Sequence, residues 1–187
     1  MDTRWYTGTG DDGYTGVLGR ERVPKYAARP DAYGVVDEAS AALGLARAQA
    51  ADARVRSLIL AVQRDLYLMM ADLATLPETA TRDPLLAVER LAWLEETTEQ
   101  LGAEIEMPRA FIIPGDSVAG ASLEIARTVV RRAERLVARL THEGELRDDV
   151  PLRYLNRLSS LLFVMGRAED RAAGVTKFTL ASERSTE

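Results

Sequence analysis

Residues 122–139 read SLEIARTVVRRAERLVAR. Ile125, Val129, Leu136 and Val137, with Leu140 just beyond, recur at helical spacing and predict an apolar stripe on one long helix. Arg127, Arg131 and Glu134 follow an i, i+4, i+7 pattern and predict a charged stripe on the opposite side, with Arg135 close by. Guanidinium forks beside a carboxylate can grip phosphates or ring carboxamides in a defined orientation. The same pattern also fits a solvated charged face, so the helix alone leaves both readings open.

Outward from that helix, the chain is strongly helix-forming. Its 187 residues are 47% apolar, 28% charged and only 6% aromatic, and Ala, Leu, Arg and Glu dominate. A length of this order predicts one domain over 1–187 with a sizeable core. Residues 31–51 carry a small-residue face of Val35, Ala39, Ala42, Leu43 and Ala46. Residues 52–76 space Leu58, Val62, Leu66, Met69 and Leu73 at helical steps before Pro77. Residues 84–106 begin at a proline and carry Leu85, Val88, Leu91, Leu94 and Leu101. The opening helix, capped by Asp116 or Ser117, is the fourth, and residues 152–173, after Pro151 and with Leu155, Leu158, Leu162 and Met165, form the fifth. Five helices of about 20 residues with short connections predict an all-α up-and-down bundle over 30–172, followed by a tail over 173–187.

Two stretches interrupt the helical pattern. Residues 5–16, WYTGTGDDGYTG, are dense in Gly, Thr and Asp, which excludes a stable helix and predicts no regular strand. Their glycines let backbone N–H groups face an anion, and their hydroxyls add donors, within a Gly/Thr-rich loop over 1–29. Residues 107–115, MPRAFIIPG, hold two prolines and a glycine around an apolar run. Phe111 and its neighbours there must be covered by core, by a partner or by a ligand.

Several function classes drop out. A net charge of −5 lacks the basic footprint of a general nucleic-acid binder. With no cysteine and a single histidine, His142, thiolate metal sites, cysteine nucleophiles and Glu-x-x-His di-iron centres are excluded, and no side-chain metal site is predicted. No apolar run reaches the roughly 18 residues of a membrane span. The stretch MDTRWYTGTGDD lacks the basic and apolar regions of a signal peptide, so a cytoplasmic location is expected. An enzyme of this composition would leave its hard chemistry to a bound cofactor or substrate.

The stretches YTGTGDDGYT at 6–15, DAYGVVDEASAALGLARA at 31–48, VQRDLYLMMADLAT at 62–75, FIIPGDSVAGASLEIARTVVRRAERLV at 111–137 and YLNRLSSLLFVMGRAED at 154–170 together resemble the PduO-type ATP:cob(I)alamin adenosyltransferases. The resemblance implies a five-helix bundle of the cobalamin adenosyltransferase (ferritin-like) type. It would assemble as a homotrimer with sites between subunits that take ATP, Mg²⁺ and cobalamin. The implied reaction moves the 5′-deoxyadenosyl group of ATP to reduced cobalt and releases triphosphate, for hand-over to an adenosylcobalamin-dependent acceptor enzyme. Thr7, Thr9, Gly10, Asp11, Gly13 and Thr15 match the nucleotide loop, with Lys25 a further nucleotide-binding candidate, and Arg131, Glu134 and Asn156 match residues that position nucleotide and metal, with Mg²⁺ near Asn156. Asp37 and Arg127 match a salt-bridged pair across the subunit interface beside the corrin. Phe111 matches the aromatic on its lower face, and Phe163 part of the same wall. Four positions depart from the family pattern. Gly8 and Asp12 stand in the loop usually written TxTGDKG, where Lys25 is the candidate to compensate for the lost lysine. Asp116 stands in the usual PGG, and Ser160 in the usual LSD. These changes admit an alternative, a non-enzymatic corrinoid- or nucleotide-binding homologue acting as carrier or regulator.

Overall fold

Proline, glycine and short polar caps divide the chain into its elements. The computed structural model describes residues 5–19 and 22–182. Among them are two short strands, β1 (Tyr14–Gly16) and β2 (Arg22–Pro24), and five helices: α1 (Ala28–Gln49), α2 (Ala53–Leu73), α3 (Glu89–Ala103), α4 (Val118–His142) and α5 (Val150–Ala172). Asp52 caps α2 by accepting from the amides of Arg54 and Val55, and Ser117 caps α4 by accepting from Gly120. Pro30 and Pro151 sit in first turns, where a missing N–H costs nothing.

α4 lies between α1 and α5, while α2 packs on α1 and α3 on α5. Ala32, Ala39 and Ala46 are fully buried on α1, and their size lets the two backbones approach closely. All five helices contribute to one continuous apolar cluster. No described helix is long and apolar enough to cross a membrane.

Some expected boundaries and faces shift. On α4 the buried row is Leu123, Ala126, Val130, Ala133, Val137 and Leu140, whereas Ile125 is 56% exposed and Leu136 only partly buried. Val129, Val137 and Leu140 of the predicted stripe are buried as expected, but the buried face is centred on Leu123, Ala126, Val130 and Ala133, so it is rotated away from Ile125 and Leu136. Arg127, Arg131 and Glu134 consequently border the buried face instead of opposing it. α3 begins at Glu89, not at Pro84, because the buried Asp72 carboxylate accepts from the amides of Leu85 and Leu86 at 2.9 and 2.8 Å and holds a turn there. The Gly/Thr-rich run is not free of strand either. β1 pairs antiparallel with β2 in the register Thr15↔Val23. Leu18 then docks the hairpin loop on the end of α2, donating to Ala74 and accepting from Leu76.

A buried network crosses three helices. Arg90 of α3 donates to Asp65 of α2 through Nε and Nη2 at 2.9 and 2.7 Å, and the Tyr154 hydroxyl of α5 donates to the same carboxylate at 2.6 Å. Arg90 also lies over the Trp93 ring at 3.7 Å. Burial, then the Asp65 charge, pushes the Tyr154 phenol well above its ordinary value of 10.0. Tyr154→Phe is expected to cost about 1.5–3 kcal/mol in urea denaturation, the usual range for a hydrogen bond to a charged group. The raised phenol contributes stability that is complete below its unfolded value and lost as pH climbs through the folded one. The Phe variant should therefore lose less stability than the parent at strongly alkaline pH.

Candidate functional site

The Gly/Thr loop closes on itself before it meets anything else. Asp11 N–H donates to the Gly8 carbonyl and Gly13 N–H to that of Gly10, and Gly8 and Gly13 take positive φ values of 70° and 83° that favour glycine. The Thr7 and Thr9 hydroxyls are 2.9 Å apart, and Lys25 N–H donates to the Gly13 carbonyl. A Cβ on Gly10 would stand 2.9 Å from the Lys25 ammonium, so the lysine lies against the loop. Thr7, Thr9, Gly10, Asp11, Gly13, Thr15 and Lys25 thus belong to one hairpin.

Asp12 has a partner that the pattern of the sequence did not suggest. Arg22 donates to its Oδ2 and Oδ1 at 2.9 and 2.8 Å. This hydrogen bonding, with that from Tyr14 N–H, holds the Asp12 carboxyl below the usual carboxylate range. Arg22 is thus the cation paired with Asp12.

A separate cleft of about 520 Å³ opens between the 108–114 segment and the α4–α5 pair. Pro108, Ala110, Phe111 and Ile112 form one wall, and Glu124, Arg127 and Phe163 the other. Phe111 is 90% exposed, so the core does not cover it. The segment is fixed by the tail: Ile113 N–H donates to the Thr179 carbonyl and Ala181 N–H to that of Phe111. Asp116 joins this clasp by accepting from Thr179 N–H and Oγ1 at 3.1 and 2.7 Å. The extra acid at 116 is therefore occupied in holding the loop to the tail.

On the outer side of α4 and α5, Asn156 Nδ2 donates to Glu134 Oε1 at 2.8 Å, which brings together two of the predicted residues. Arg131 is exposed on the same helix, and among the described residues its guanidinium has no hydrogen-bond or ion-pair partner. Arg127 donates through Nε to Glu124 at 2.7 Å. Asp37 is exposed and has no ion pair among the described residues, so an Asp37–Arg127 bridge is not an intrachain contact. No hydrogen bond or ion pair among the described residues joins the hairpin loop to Arg127, Arg131, Glu134 or Asn156. Ser160 is exposed and makes no such contact, and nothing in the structure explains the serine there. Among the described residues no cluster of three or more His, Asp or Glu side chains could hold a metal ion.

Behind the cleft wall lies a charge cluster that helical periodicity did not reveal. Arg167 is 1% exposed, with Nη2 2.9 Å from Asp170 Oδ2 and 3.7 Å from Glu124 Oε1. Its guanidinium faces the rings of Phe163 and Phe178 at 5.1 and 5.5 Å. Asp170 also accepts from the Ser117 hydroxyl at 2.6 Å. Gly120 is required here, since a Cβ would meet Asp170 Oδ1 at 2.2 Å. The available signal was a pair of charges three residues apart, 167 and 170, on the apolar face of α5.

Known proteins share this arrangement of elements. The family model described as cobalamin adenosyltransferase matches residues 5–169. The corrinoid adenosyltransferase PduO of Salmonella typhimurium is 40% identical over 169 residues, covering 90% of this chain and 50% of that protein. The chain thus spans about half the length of that relative. A corrinoid adenosyltransferase of Citrobacter freundii is 37% identical over 92% of this chain and 98% of its own length, and one of Mycobacterium bovis is 41% identical over 88% of each. A solved variant of the PduO-type ATP:corrinoid adenosyltransferase from Lactobacillus reuteri, complexed with cobalamin and ATP, superposes with a TM-score of 0.89 at 26% identity, covering 96% of this chain and 100% of that one. With the match running from the Gly/Thr hairpin to the charged end of α5, the chain belongs to the cobalamin adenosyltransferase family.

Proposed function

We propose that this chain transfers the 5′-deoxyadenosyl group of ATP to the reduced cobalt of a corrinoid, forming the cobalt–carbon bond as the C5′–oxygen bond to triphosphate breaks. The observation that carries the proposal is the Phe111–Phe163 cleft, an apolar slot with Arg127 and Glu124 at its edge. Such a slot fits a flat macrocycle whose rim bears amides. The reduced cobalt supplies the electron pair and triphosphate leaves with the negative charge. The protein's part is to bind, orient and exclude water.

In this reading Phe111 and Phe163 press on the corrin and keep axial ligands from its lower face. Arg127 meets the corrin edge and, across an interface between copies, the Asp37 carboxylate of a neighbour. Thr7, Thr9, Gly10, Asp11, Gly13, Thr15 and Lys25 enclose the nucleotide. Arg131 meets the triphosphate, where fixed donors are worth most as charge develops on the leaving group. Glu134, held by Asn156, offers oxygen of the kind Mg²⁺ takes when it arrives with triphosphate. The separation of the hairpin loop from the α4–α5 face within one chain supports a site completed between copies, as a homotrimer would provide. An adenosylcobalamin-dependent acceptor enzyme and a cytoplasmic setting belong to the same reading.

The test is direct. Protein, ATP and Mg²⁺ are mixed with chemically reduced cobalamin without oxygen, and the absorbance change of cobalt–carbon bond formation is followed. Conversion at a rate proportional to protein is expected. Corrinoid binding without conversion would replace the transferase reading with that of a carrier.

A further inference from the structure

Arg22 opens β2 and reaches back across the hairpin with its whole guanidinium. Besides the two bonds to Asp12, its Nη2 donates to the Thr9 carbonyl at 2.6 Å and to the Tyr14 carbonyl at 3.2 Å. One side chain therefore collects a carboxylate and two carbonyls from the two arms of the 7–15 loop. Asp12 is turned the same way from its own side, since its Oδ1 accepts from Tyr14 N–H at 3.1 Å. A trans peptide sets C=O and N–H on opposite sides. Drawing the Thr9 carbonyl toward Arg22 thus aims the Gly10 N–H away from it. Gly10 is also where the Lys25 ammonium lies close. The clasp neutralises the Asp12 carboxylate and leaves the Gly10 N–H turned away from Arg22, while the Lys25 ammonium stays beside Gly10 as a second cation on the loop. An outward amide with a cation near it is chemically suited to a polyanion.

We infer that Arg22 is a positioning residue for nucleotide binding, one that holds the 7–15 loop in its anion-accepting shape before ATP arrives and withdraws the Asp12 charge from the triphosphate. This rests on the reading of the loop as a nucleotide loop. Arg22 does not touch the nucleotide; it acts through Asp12 and through the Thr9 and Tyr14 peptides. The clasp is at the solvent surface, with the Arg22 and Asp12 side chains 48% and 54% exposed, so it is peripheral to the core that sets global stability.

The experiment is calorimetric titration of the full chain with MgATP in the absence of corrinoid, on the parent and on Arg22→Ala, Arg22→Lys, Asp12→Ala and the Arg22→Ala/Asp12→Ala double variant. Corrinoid affinity and Tm are measured beside it. Arg22→Ala should weaken ATP binding about tenfold, the size of one charge-assisted contact network. Arg22→Lys should recover only part of this, because an ammonium neutralises Asp12 without the fork that spans the carbonyls. The double variant should bind ATP better than Arg22→Ala alone, since the exposed Asp12 charge has gone. Corrinoid affinity and Tm should not move. An ATP affinity within twofold of the parent in Arg22→Ala overturns the inference. So does an equal loss of ATP affinity, corrinoid affinity and Tm, the mark of a purely structural role. A parent that binds ATP without transferring it sinks the transferase reading and leaves Arg22 judged on these affinities; a parent that binds no ATP sinks both.

Discussion

Arg167→Ala is expected to cost about 3–5 kcal/mol of folding stability, read as a lower midpoint in urea, because it strips the counter-charge from buried carboxylates. Glu124 and Asp170 are 5% and 1% exposed, and Arg167 is the cation between them. Without it, only the Ser117 hydroxyl remains on Asp170 and only Arg127 on Glu124. The truncation also removes the guanidinium between Phe163 and Phe178, and so loosens the wall behind the corrinoid cleft. The cluster is imperfectly satisfied as it stands, with Glu124 Oε1, Arg167 Nε and Nη1, and Asp170 Oδ2 lacking hydrogen-bond partners. Its charges are thus held by ion pairing more than by a closed hydrogen-bond network. Arg167→Met, which keeps the volume, should be nearly as damaging alone. Adding Glu124→Gln and Asp170→Asn to Arg167→Met should recover most of the loss, since a buried charge group can be replaced as a whole more cheaply than it can be broken. A cost for Arg167→Ala below about 1 kcal/mol would mean that water reaches these carboxylates and that the cluster does not brace the cleft.

This cluster marks where sequence reading stopped. The helices were legible because Leu66, Met69 and Leu73, or Leu155, Leu158 and Leu162, repeat with the helical period and are all buried. A charged residue inside such a pattern reads as surface. Glu124, Arg167 and Asp170 are buried only because each lies next to another, and that adjacency belongs to the packing of α4 on α5. The rotation of the α4 stripe has a related origin. Ile125 looks more apolar than Ala126 or Ala133, yet the close approach of α1 selects the alanines for the interior. In the candidate site, the Gly/Thr loop, Phe111 and the Arg127, Arg131 and Glu134 stripe stand out by pattern, whereas Asn156, Phe163 and the role of each come from the family resemblance, and Glu134 and Asn156 do meet. The roles of Arg22 and Asp116 were hidden because each depends on a chain reversal. Arg22 reaches Asp12 across a hairpin, and Asp116 takes Thr179 from a tail 63 positions away.

Arg131→Ala is the sharpest test of the α4 face, and it should behave oppositely to Arg167→Ala. kcat/KM for transfer is expected to fall about 10²–10³-fold, the usual loss when one fixed donor to a developing anion is removed. Stability should stay within about 0.5 kcal/mol of the parent, as for an exposed substitution away from structural contacts. The expectation follows from the arginines that surround it. Arg127 is committed to Glu124, Arg132 to Glu38 and Arg139 to Glu143, whereas the Arg131 guanidinium is committed to nothing among the described residues. An unpaired arginine costs the fold little to lose and remains available to a phosphate. Arg131→Lys should retain the charge but not the two-pronged geometry, and should recover only a small part of the activity. The sign of the loss also separates two places for the phosphate grip. If Arg131→Ala transfers at nearly the parental rate, the α4 stripe is a solvated face and the triphosphate is held by the hairpin loop alone, with Lys25 its cation. If transfer collapses while the urea midpoint stays put, the same helix that organises the bundle also supplies the charge at the leaving group.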